Sequence, residues 1–189
     1  YGDWNDALDG LGLVQGSSGY GNGVTVMGTL QLYENLERMI EIIKSKDVNH
    51  ELIKKYEDIR VLIKEGINNH AIISNEEEKR VLHGWGHNRS YLVGSFNDPD
   101  GYNRNSLTSN AFYVISKMID ENPSMKDELM KSFNRLDSKY GLKTFEPAFE
   151  NFHGFGRIIN LPAGTAENAA TYIHATLFGT LALYMLGES

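Results

Sequence analysis

The chain has 189 residues, which is enough for one domain with its own hydrophobic core. Its 25 acidic and 18 basic residues give a net charge of −7, which argues against nucleic-acid binding because a phosphate backbone requires a basic face. There is no cysteine, so disulfides and thiolate chemistry are excluded. No apolar run is long enough to span a membrane, and the polar, acidic start does not resemble a signal peptide, so we expect a cytoplasmic protein.

The first third of the chain combines two loops with two helical segments. Residues 1–12 are dense in Asp and Gly, and residues 15–23 contain four glycines in nine positions, a density that disfavours both helix and strand. Apolar side chains then recur at helical spacing over residues 24–46 and again over residues 48–67. Because the connection between these two segments is short, they are predicted to form an antiparallel pair of helices.

The rest of the chain alternates long loops with helices. Residues 80–105 concentrate aromatics, histidines and glycines, and are predicted to form a long functional loop with a short hairpin. Residues 141–164 are predicted to be irregular as well. Helices in succession with such loops between them indicate an all-α domain whose site lies in the loops. Three further helices are predicted, over residues 107–121, 124–140 and 165–186, the last of them buried or in an inner layer.

The first candidate site lies in residues 2–10, which hold three carboxylates and one indole within seven positions: Asp3, Trp4, Asp6 and Asp9. A glycosidic bond is broken by an acid that protonates the leaving oxygen, and the face of a Trp ring packs well on the C–H surface of a sugar. The alternatives are a calcium loop or a helix N-terminus capped by Asp. The spacing does not match the twelve-residue calcium motif. The residue types alone do not decide between a catalytic site and a helix N-terminus capped by Asp.

The second candidate site lies in residues 162–174, near the C-terminus. In a helix, Glu167, Thr171 and His174 would share one face. Burying a carboxylate and an imidazole on a mostly apolar helix costs free energy unless both groups have partners. One explanation is a site in which Glu167 binds sugar hydroxyls and His174 contacts an anion. The alternative is a core histidine whose hydrogen bonds are satisfied by Glu167 or by a backbone carbonyl.

A third group of polar and aromatic side chains lies in the loop over residues 80–105. His83, Trp85, His87 and Arg89 could line a pocket. Two histidines four positions apart are also compatible with zinc, but no third ligand is evident, so we predict no metal site.

These runs together resemble a known family. Gly-Asp-Trp-Asn-Asp at residues 2–6, followed by Leu-Asp-Gly-Leu-Gly at residues 8–12, is similar to the sequence around the general acid of the cellobiose and cellodextrin phosphorylases, glycoside hydrolase family 94. Glu167-Asn168 followed by His174 is similar to the end of the family's catalytic domain. The resemblance extends, more loosely, over most of the chain.

The resemblance implies an inverting phosphorolysis of β-linked gluco-oligosaccharides that releases α-glucose 1-phosphate. By this resemblance, Asp6 is the general acid, and Trp4, Asp3 and Glu167 bind the sugars. His174 would contact inorganic phosphate, which is the nucleophile and a substrate, so no cofactor is expected. An inverting hydrolase needs a second carboxylate to activate water, whereas phosphate is already an anionic nucleophile and needs donors that hold it.

The resemblance also implies a fold and an assembly. Residues 1–189 would form the second half of an (α/α)6 toroid with long functional loops, as a fragment of a longer multidomain enzyme that is a homodimer when intact. The partners would be a β-gluco-oligosaccharide, phosphate and the rest of the polypeptide, and a half-toroid would leave an apolar seam exposed. As an isolated fragment, the chain is expected to show no appreciable catalytic turnover.

One departure and two alternatives accompany the resemblance. Many family members have Lys just before the Glu, where this chain has Ala166, which puts one sugar contact in doubt. The first alternative is an inverting hydrolase on a similar toroid, with Glu146 or Glu150 as the base. The second is a non-catalytic helical fragment that binds carbohydrate.

Overall fold

The computed structural model describes residues 4–14 and 21–187 of the chain. In these residues the fold is mostly helical, with short strands and single helical turns in the connections. No helix among them is both long and apolar enough to cross a membrane. The α-helices are α1 (Val26–Lys46), α2 (Glu51–Gly66), α3 (Leu107–Ile115), α4 (Met125–Leu136) and α5 (Ile173–Met185).

The predicted antiparallel pair of helices near the N-terminus is confirmed. Helix α1 ends where Asp47 adopts a left-handed conformation with φ of 54°, and α2 begins four residues later. Along the pair, the guanidinium of Arg60 forms an ion pair with Glu37 and lies over the ring of Tyr33 at 4.2 Å from its centroid. Contacts between the middle of α2 and the middle of α1, together with the short connection, define a helical hairpin.

The helices pack in a connected series around α3. Helix α3 packs most extensively against α5 and also against α1. Helix α2 packs against α1, and α4 packs against α3. Gly179 permits the close approach of α5 to α3, because a Cβ atom there would lie 2.9 Å from a methyl group of Leu107. The main core is made of buried side chains from these helices and the strands beside them, from Val26 in α1 to Ala182 in α5.

The expectation of a mostly helical domain is confirmed, and the described loops pair with one another in short antiparallel strands. Backbone groups buried in long loops require hydrogen-bond partners, and strand pairing supplies them. A three-stranded sheet has the order β1-β4-β5, and two further pairs are β2-β3 and β6-β7. The strands are β1 (Val24–Thr25), β2 (Ile72–Ser74), β3 (Lys79–Val81), β4 (Gly84–Trp85), β5 (Leu92–Val93), β6 (Asn105–Ser106) and β7 (Phe145–Glu146).

The last predicted helix begins later than expected. Residues 165–172 form turns and irregular backbone, and α5 starts only at Ile173. Two alanines in this segment, Ala166 and Ala169, have positive φ values of 45° and 63°, which a right-handed helix does not allow. The helices predicted over 107–121 and 124–140 also end early, at Ile115 and Leu136, and irregular backbone or a short turn follows each.

Helix α5 is buried on one side only. Ala175, Gly179 and Ala182 are buried against α3, whereas Ile173 and Leu177 are 77% and 61% exposed. The helix, predicted to be buried or in an inner layer, is thus buried along one side, and an exposed apolar surface of the kind expected is present on its other side.

Candidate active site

The loop that carries Asp6 is a 3-10 turn fixed by apolar anchors. The turn spans Asp6–Gly12, and the side chain of Asn5 caps it by accepting a hydrogen bond from the backbone N–H of Ala7 at 3.1 Å. Leu8 and Leu11 are completely buried, and burying each contributes about 1.5–3 kcal/mol. Asp6 itself is exposed to solvent. The loop therefore holds its backbone against the core while the carboxylate of Asp6 remains accessible.

Trp4 connects the two candidate runs at opposite ends of the chain. Its indole Nε1 donates a hydrogen bond to the hydroxyl of Thr108 in α3 at 3.1 Å. Its ring centroid lies 5.7 Å from that of Tyr172 and 6.3 Å from that of His174. The imidazole of His174 also packs on Phe178, one turn further along α5, with centroids 4.8 Å apart. The fold thus places Trp4 beside the first turn of α5.

The prediction that Glu167, Thr171 and His174 share one helical face is wrong. Glu167 lies half-buried in a turn before α5, and its backbone carbonyl accepts a hydrogen bond from the hydroxyl of Thr144 at 2.8 Å. His174 is exposed in the first turn of α5, so it is not a core histidine. The residues of this run are brought to the site by an irregular segment, and Asp3 lies outside the described residues.

Asn168 explains why the segment before α5 is not helical. Its side chain is fully buried and contacts the backbone of two other stretches of chain. The amide oxygen accepts from the N–H of Phe149 at 2.7 Å, and the amide nitrogen donates to the carbonyls of Phe149 and Leu161 at 3.1 and 2.9 Å. These bonds hold the turn that carries Glu167 on the loop formed by residues 147–161, with Asn168 acting as a structural anchor.

Arg157 was not singled out by the sequence analysis, yet it contacts the turn Asp6–Gly12, called the acid loop below because it carries Asp6 and Asp9. Its Nε donates to the carboxylate of Asp9 at 2.7 Å, and a terminal nitrogen donates to the backbone carbonyl of Asp6 at 2.8 Å. The backbone N–H of Arg157 donates to the other carboxylate oxygen of Asp9 at 2.9 Å. Asp9, which the sequence grouped with the candidate carboxylates, is therefore engaged in an ion pair that joins two loops.

The histidines of the loop over residues 80–105 have separate environments. His83 is fully buried, with Nδ1 at 2.9 Å from the hydroxyl of Ser106 and its ring 5.0 Å from that of Phe145. His87 accepts a hydrogen bond at Nδ1 from the backbone N–H of Asn22 at 2.8 Å. Among the residues that the structure describes, no group of three or more His, Asp or Glu side chains is arranged to hold a metal ion.

The other members of that loop also have structural contacts. The guanidinium of Arg89 lies 4.9 Å from the ring centroid of Trp85 and donates to the backbone carbonyl of His70 at 3.0 Å. Arg89 therefore fixes the loop onto the end of the second helix, and the pocket predicted from His83, Trp85, His87 and Arg89 stays a prediction.

A buried ion-pair network supports the loops behind the site. The completely buried guanidinium of Arg104 pairs with Asp98 at 2.6 Å and with Asp100 at 2.7 Å. It also donates to the backbone carbonyls of Pro147 and Ala148. Because a buried charge is costly unless it is paired and hydrogen-bonded, this complete set of partners fixes residues 98–104 against residues 147–149.

The two carboxylates considered as hydrolytic bases are engaged in other contacts. Glu146, in β7, forms an ion pair with Lys143 at 2.5 Å. Glu150 is exposed and accepts a hydrogen bond from the hydroxyl of Tyr102 at 3.4 Å. Both carboxylates thus have contacts with neighbouring side chains.

A Trp ring packed beside a Tyr and a His, two residues before an exposed carboxylate, is typical of enzymes that cleave or transfer sugars. The whole chain, residues 1–189, matches the family model described as the Glycosyl hydrolase 94 superfamily, catalytic domain, and the chain belongs to this family. It is also similar to a solabiose phosphorylase from Paenibacillus borealis, with 27% identity over 188 residues. That match covers 99% of this chain but 23% of the relative, so the chain spans less than a quarter of the relative's length. The resemblance inferred from the sequence runs is confirmed.

Proposed function

We propose that this chain carries the general acid of an inverting phosphorylase that transfers a glucosyl group from a β-linked gluco-oligosaccharide to inorganic phosphate. Membership of the family and the likeness to a phosphorylase support the type of reaction. The contact of Trp4 with Tyr172 and His174 is the observation that carries the proposal, because it joins the acid run to the run near the C-terminus.

In this proposal Asp6 protonates the glycosidic oxygen of the leaving sugar. Phosphate attacks the anomeric carbon from the opposite face, so the carbon–oxygen bond to the leaving sugar breaks as the bond to phosphate forms, with inversion. Trp4, Asp3 and Glu167 bind the sugar, and the exposed imidazole of His174 contacts the phosphate. No cofactor is required in this scheme, since phosphate is a substrate.

We extend the proposal to the architecture. Helices α1, α3 and α5 would be consecutive inner helices of an (α/α)6 toroid, with α2 and α4 in its outer ring, because α3 contacts both α1 and α5, whereas α2 contacts α1 and α4 contacts α3. The exposed apolar side chains of α5 would then pack against the rest of the polypeptide. Homodimeric assembly and a cytoplasmic location stay predictions.

The test is release of glucose 1-phosphate by the full-length protein from a panel of β-linked disaccharides that includes solabiose, with and without inorganic phosphate. Asp6→Asn should reduce phosphate-dependent release by roughly 10²–10⁴-fold, which is the effect expected for the loss of a general acid. Asp58→Asn is the matched control, since Asp58 is a solvent-exposed carboxylate on α2 that pairs with Lys54. Release of reducing sugar at the same rate without phosphate would instead establish a hydrolase, and Glu146→Gln and Glu150→Gln would then identify its base.

A further inference from the structure

We infer that Arg157 is a positioning residue for the general acid, fixing the backbone at Asp6 through its contacts with Asp6 and Asp9. The inference rests on the proposed role of Asp6 and adds a residue that the sequence runs did not indicate. Arg157 itself lies in a different loop and contacts the acid loop at the backbone carbonyl of Asp6 and the carboxylate of Asp9.

Three hydrogen bonds join Arg157 to the acid loop. The guanidinium reaches the carbonyl oxygen of Asp6 at 2.8 Å and one carboxylate oxygen of Asp9 at 2.7 Å. The backbone N–H of Arg157 reaches the second carboxylate oxygen of Asp9 at 2.9 Å. A planar guanidinium that donates in two directions fixes orientation as well as distance, which a single ammonium group cannot do. The peptide unit that follows the acid is thus held from outside its own turn.

The two loops also meet backbone to backbone. A Cβ atom on Gly10 would overlap the carbonyl oxygen of Gly154, and a Cβ atom on Gly156 would overlap the carboxylate of Asp9. Gly156 has φ of +97°, a conformation that other residues rarely adopt. The space for the ion pair between Arg157 and Asp9 therefore depends on glycine in both loops.

The loop that carries Arg157 is itself firmly held. Phe155 is completely buried, and the hydroxyl of Tyr91 donates to the carbonyl oxygen of Gly154 at 2.6 Å. The ring of Tyr91 packs edge-on against Phe152 with centroids 5.1 Å apart. Arg157 thus extends from a rigid support to the acid loop, so its contacts can restrict the position of Asp6.

Because the ion pair between Arg157 and Asp9 is exposed, its effect on the position of Asp6 can be measured apart from any effect on the stability of the fold. The side chains of Arg157 and Asp9 are 67% and 39% exposed, and ion pairs so exposed contribute little to folding. Proton transfer, in contrast, depends on the acid being within hydrogen-bond reach of the leaving oxygen, and small misplacements are costly. Loss of Arg157 should therefore reduce the rate of the acid-assisted step while the fold remains intact.

The experiment compares Arg157→Ala, Arg157→Lys and Arg38→Ala in the full-length protein. Arg38 is the matched control, because its side chain is 64% exposed and forms one ion pair, with Glu34, on α1. Phosphorolysis is measured with a disaccharide, whose leaving group needs protonation, and with a 2,4-dinitrophenyl β-glucoside, whose leaving group does not. Thermal inactivation midpoints are measured for each variant.

We expect Arg157→Ala to lower kcat for the disaccharide by about 10- to 100-fold, with little change in KM and a much smaller loss on the dinitrophenyl glucoside. Arg157→Lys should retain part of the activity, and Arg38→Ala should match the wild type. Equal losses on both substrates would overturn the inference, as would no loss at all.

Asp6→Asn, measured in parallel, distinguishes this inference from the proposed function. If Asp6→Asn shows the dependence on leaving group and Arg157→Ala does not, only the positioning role fails. If Asp6→Asn itself shows no such dependence, the general acid is misassigned and both fail.

Discussion

The amide oxygen of Asn168 accepts a hydrogen bond from the backbone N–H of Phe149 at 2.7 Å, and its amide nitrogen returns one to the carbonyl of the same residue at 3.1 Å. The side chain thereby pairs with both backbone groups of Phe149, as the backbone of a neighbouring strand would. Because Asn168 is adjacent to Glu167, this pairing sets the position of the proposed sugar-binding carboxylate.

Asn168→Ala should therefore destabilise the protein and weaken substrate binding together. The substitution leaves the buried N–H and C=O of Phe149 without their partner, at about 1–3 kcal/mol for each unsatisfied group. A lower thermal inactivation midpoint and a raised KM for the disaccharide are the expected results. Asn160→Ala, at an exposed position of the same loop, is the control, and equal effects of the two substitutions would contradict the anchoring role.

Local signals in the sequence were sufficient for some elements. Helix α1 was predicted over residues 24–46 and spans Val26–Lys46, because its apolar repeat is regular and its last turn contains Lys44 and Lys46. The general-acid run and the run near the C-terminus were recognised in the same way, from residues close together in the chain.

Other features depend on partners that are distant in sequence, and local patterns do not contain them. Residues 165–172 have a composition that suits a helix, but Thr144 donates its backbone N–H to the carbonyl of Ala170, and Asn168 is bound by another loop. Arg157 is similar, since nothing near it in the sequence indicates that its partner is Asp9. The sequence could thus identify the family, but not the loop geometry around the candidate residues.

Thr108→Val should weaken sugar binding without unfolding the protein. Thr108 is 1% exposed and accepts the hydrogen bond of the Trp4 indole, so an isosteric valine removes the acceptor and leaves the packing in place. A lost hydrogen bond of about 1 kcal/mol corresponds to a rise in the KM for the disaccharide of roughly 5-fold. The control is Thr180→Val, on the exposed side of α5, and a KM unchanged in Thr108→Val would show that Trp4 is held by its ring contacts alone.

We expect Tyr91 to make the protein less stable as the pH rises in the alkaline range. Burial raises the pKa of Tyr91 from its ordinary value of 10.0 to about 12, and the neutral hydroxyl donates to the carbonyl of Gly154. Since the folded state holds the proton more tightly than the unfolded state, the contribution of Tyr91 is complete below pH 10 and is lost as the pH rises toward 12.

Thermal inactivation midpoints measured from pH 8 to pH 12 test this dependence. The upper limit of pH 12 is chosen because the pKa of Tyr91 is raised to about 12. Tyr91→Phe should lower the midpoint at neutral pH, by the equivalent of about 1 kcal/mol, and should flatten the alkaline decline. Tyr113→Phe serves as a comparison, because burial also raises the pKa of Tyr113 to about 12 and it therefore contributes to the same decline. Tyr140→Phe, at a tyrosine that is 79% exposed, is the control and should leave the curve unchanged. A Tyr91→Phe curve parallel to that of the wild type would refute the assignment.

Gly156→Ala should inactivate the enzyme by separating the two loops at the acid. A Cβ atom at Gly156 meets the carboxylate of Asp9 and the backbone of Gly10, and the φ of +97° adds about 1–2 kcal/mol of strain. Gly101→Ala is the matched control, because Gly101 has φ of +86° with open space around its Cβ position, so it carries the strain without the overlap. We expect Gly101→Ala to retain activity and Gly156→Ala to lose it on the disaccharide. Equal activity in the two variants would show that the contact between the acid loop and the Arg157 loop is dispensable for catalysis.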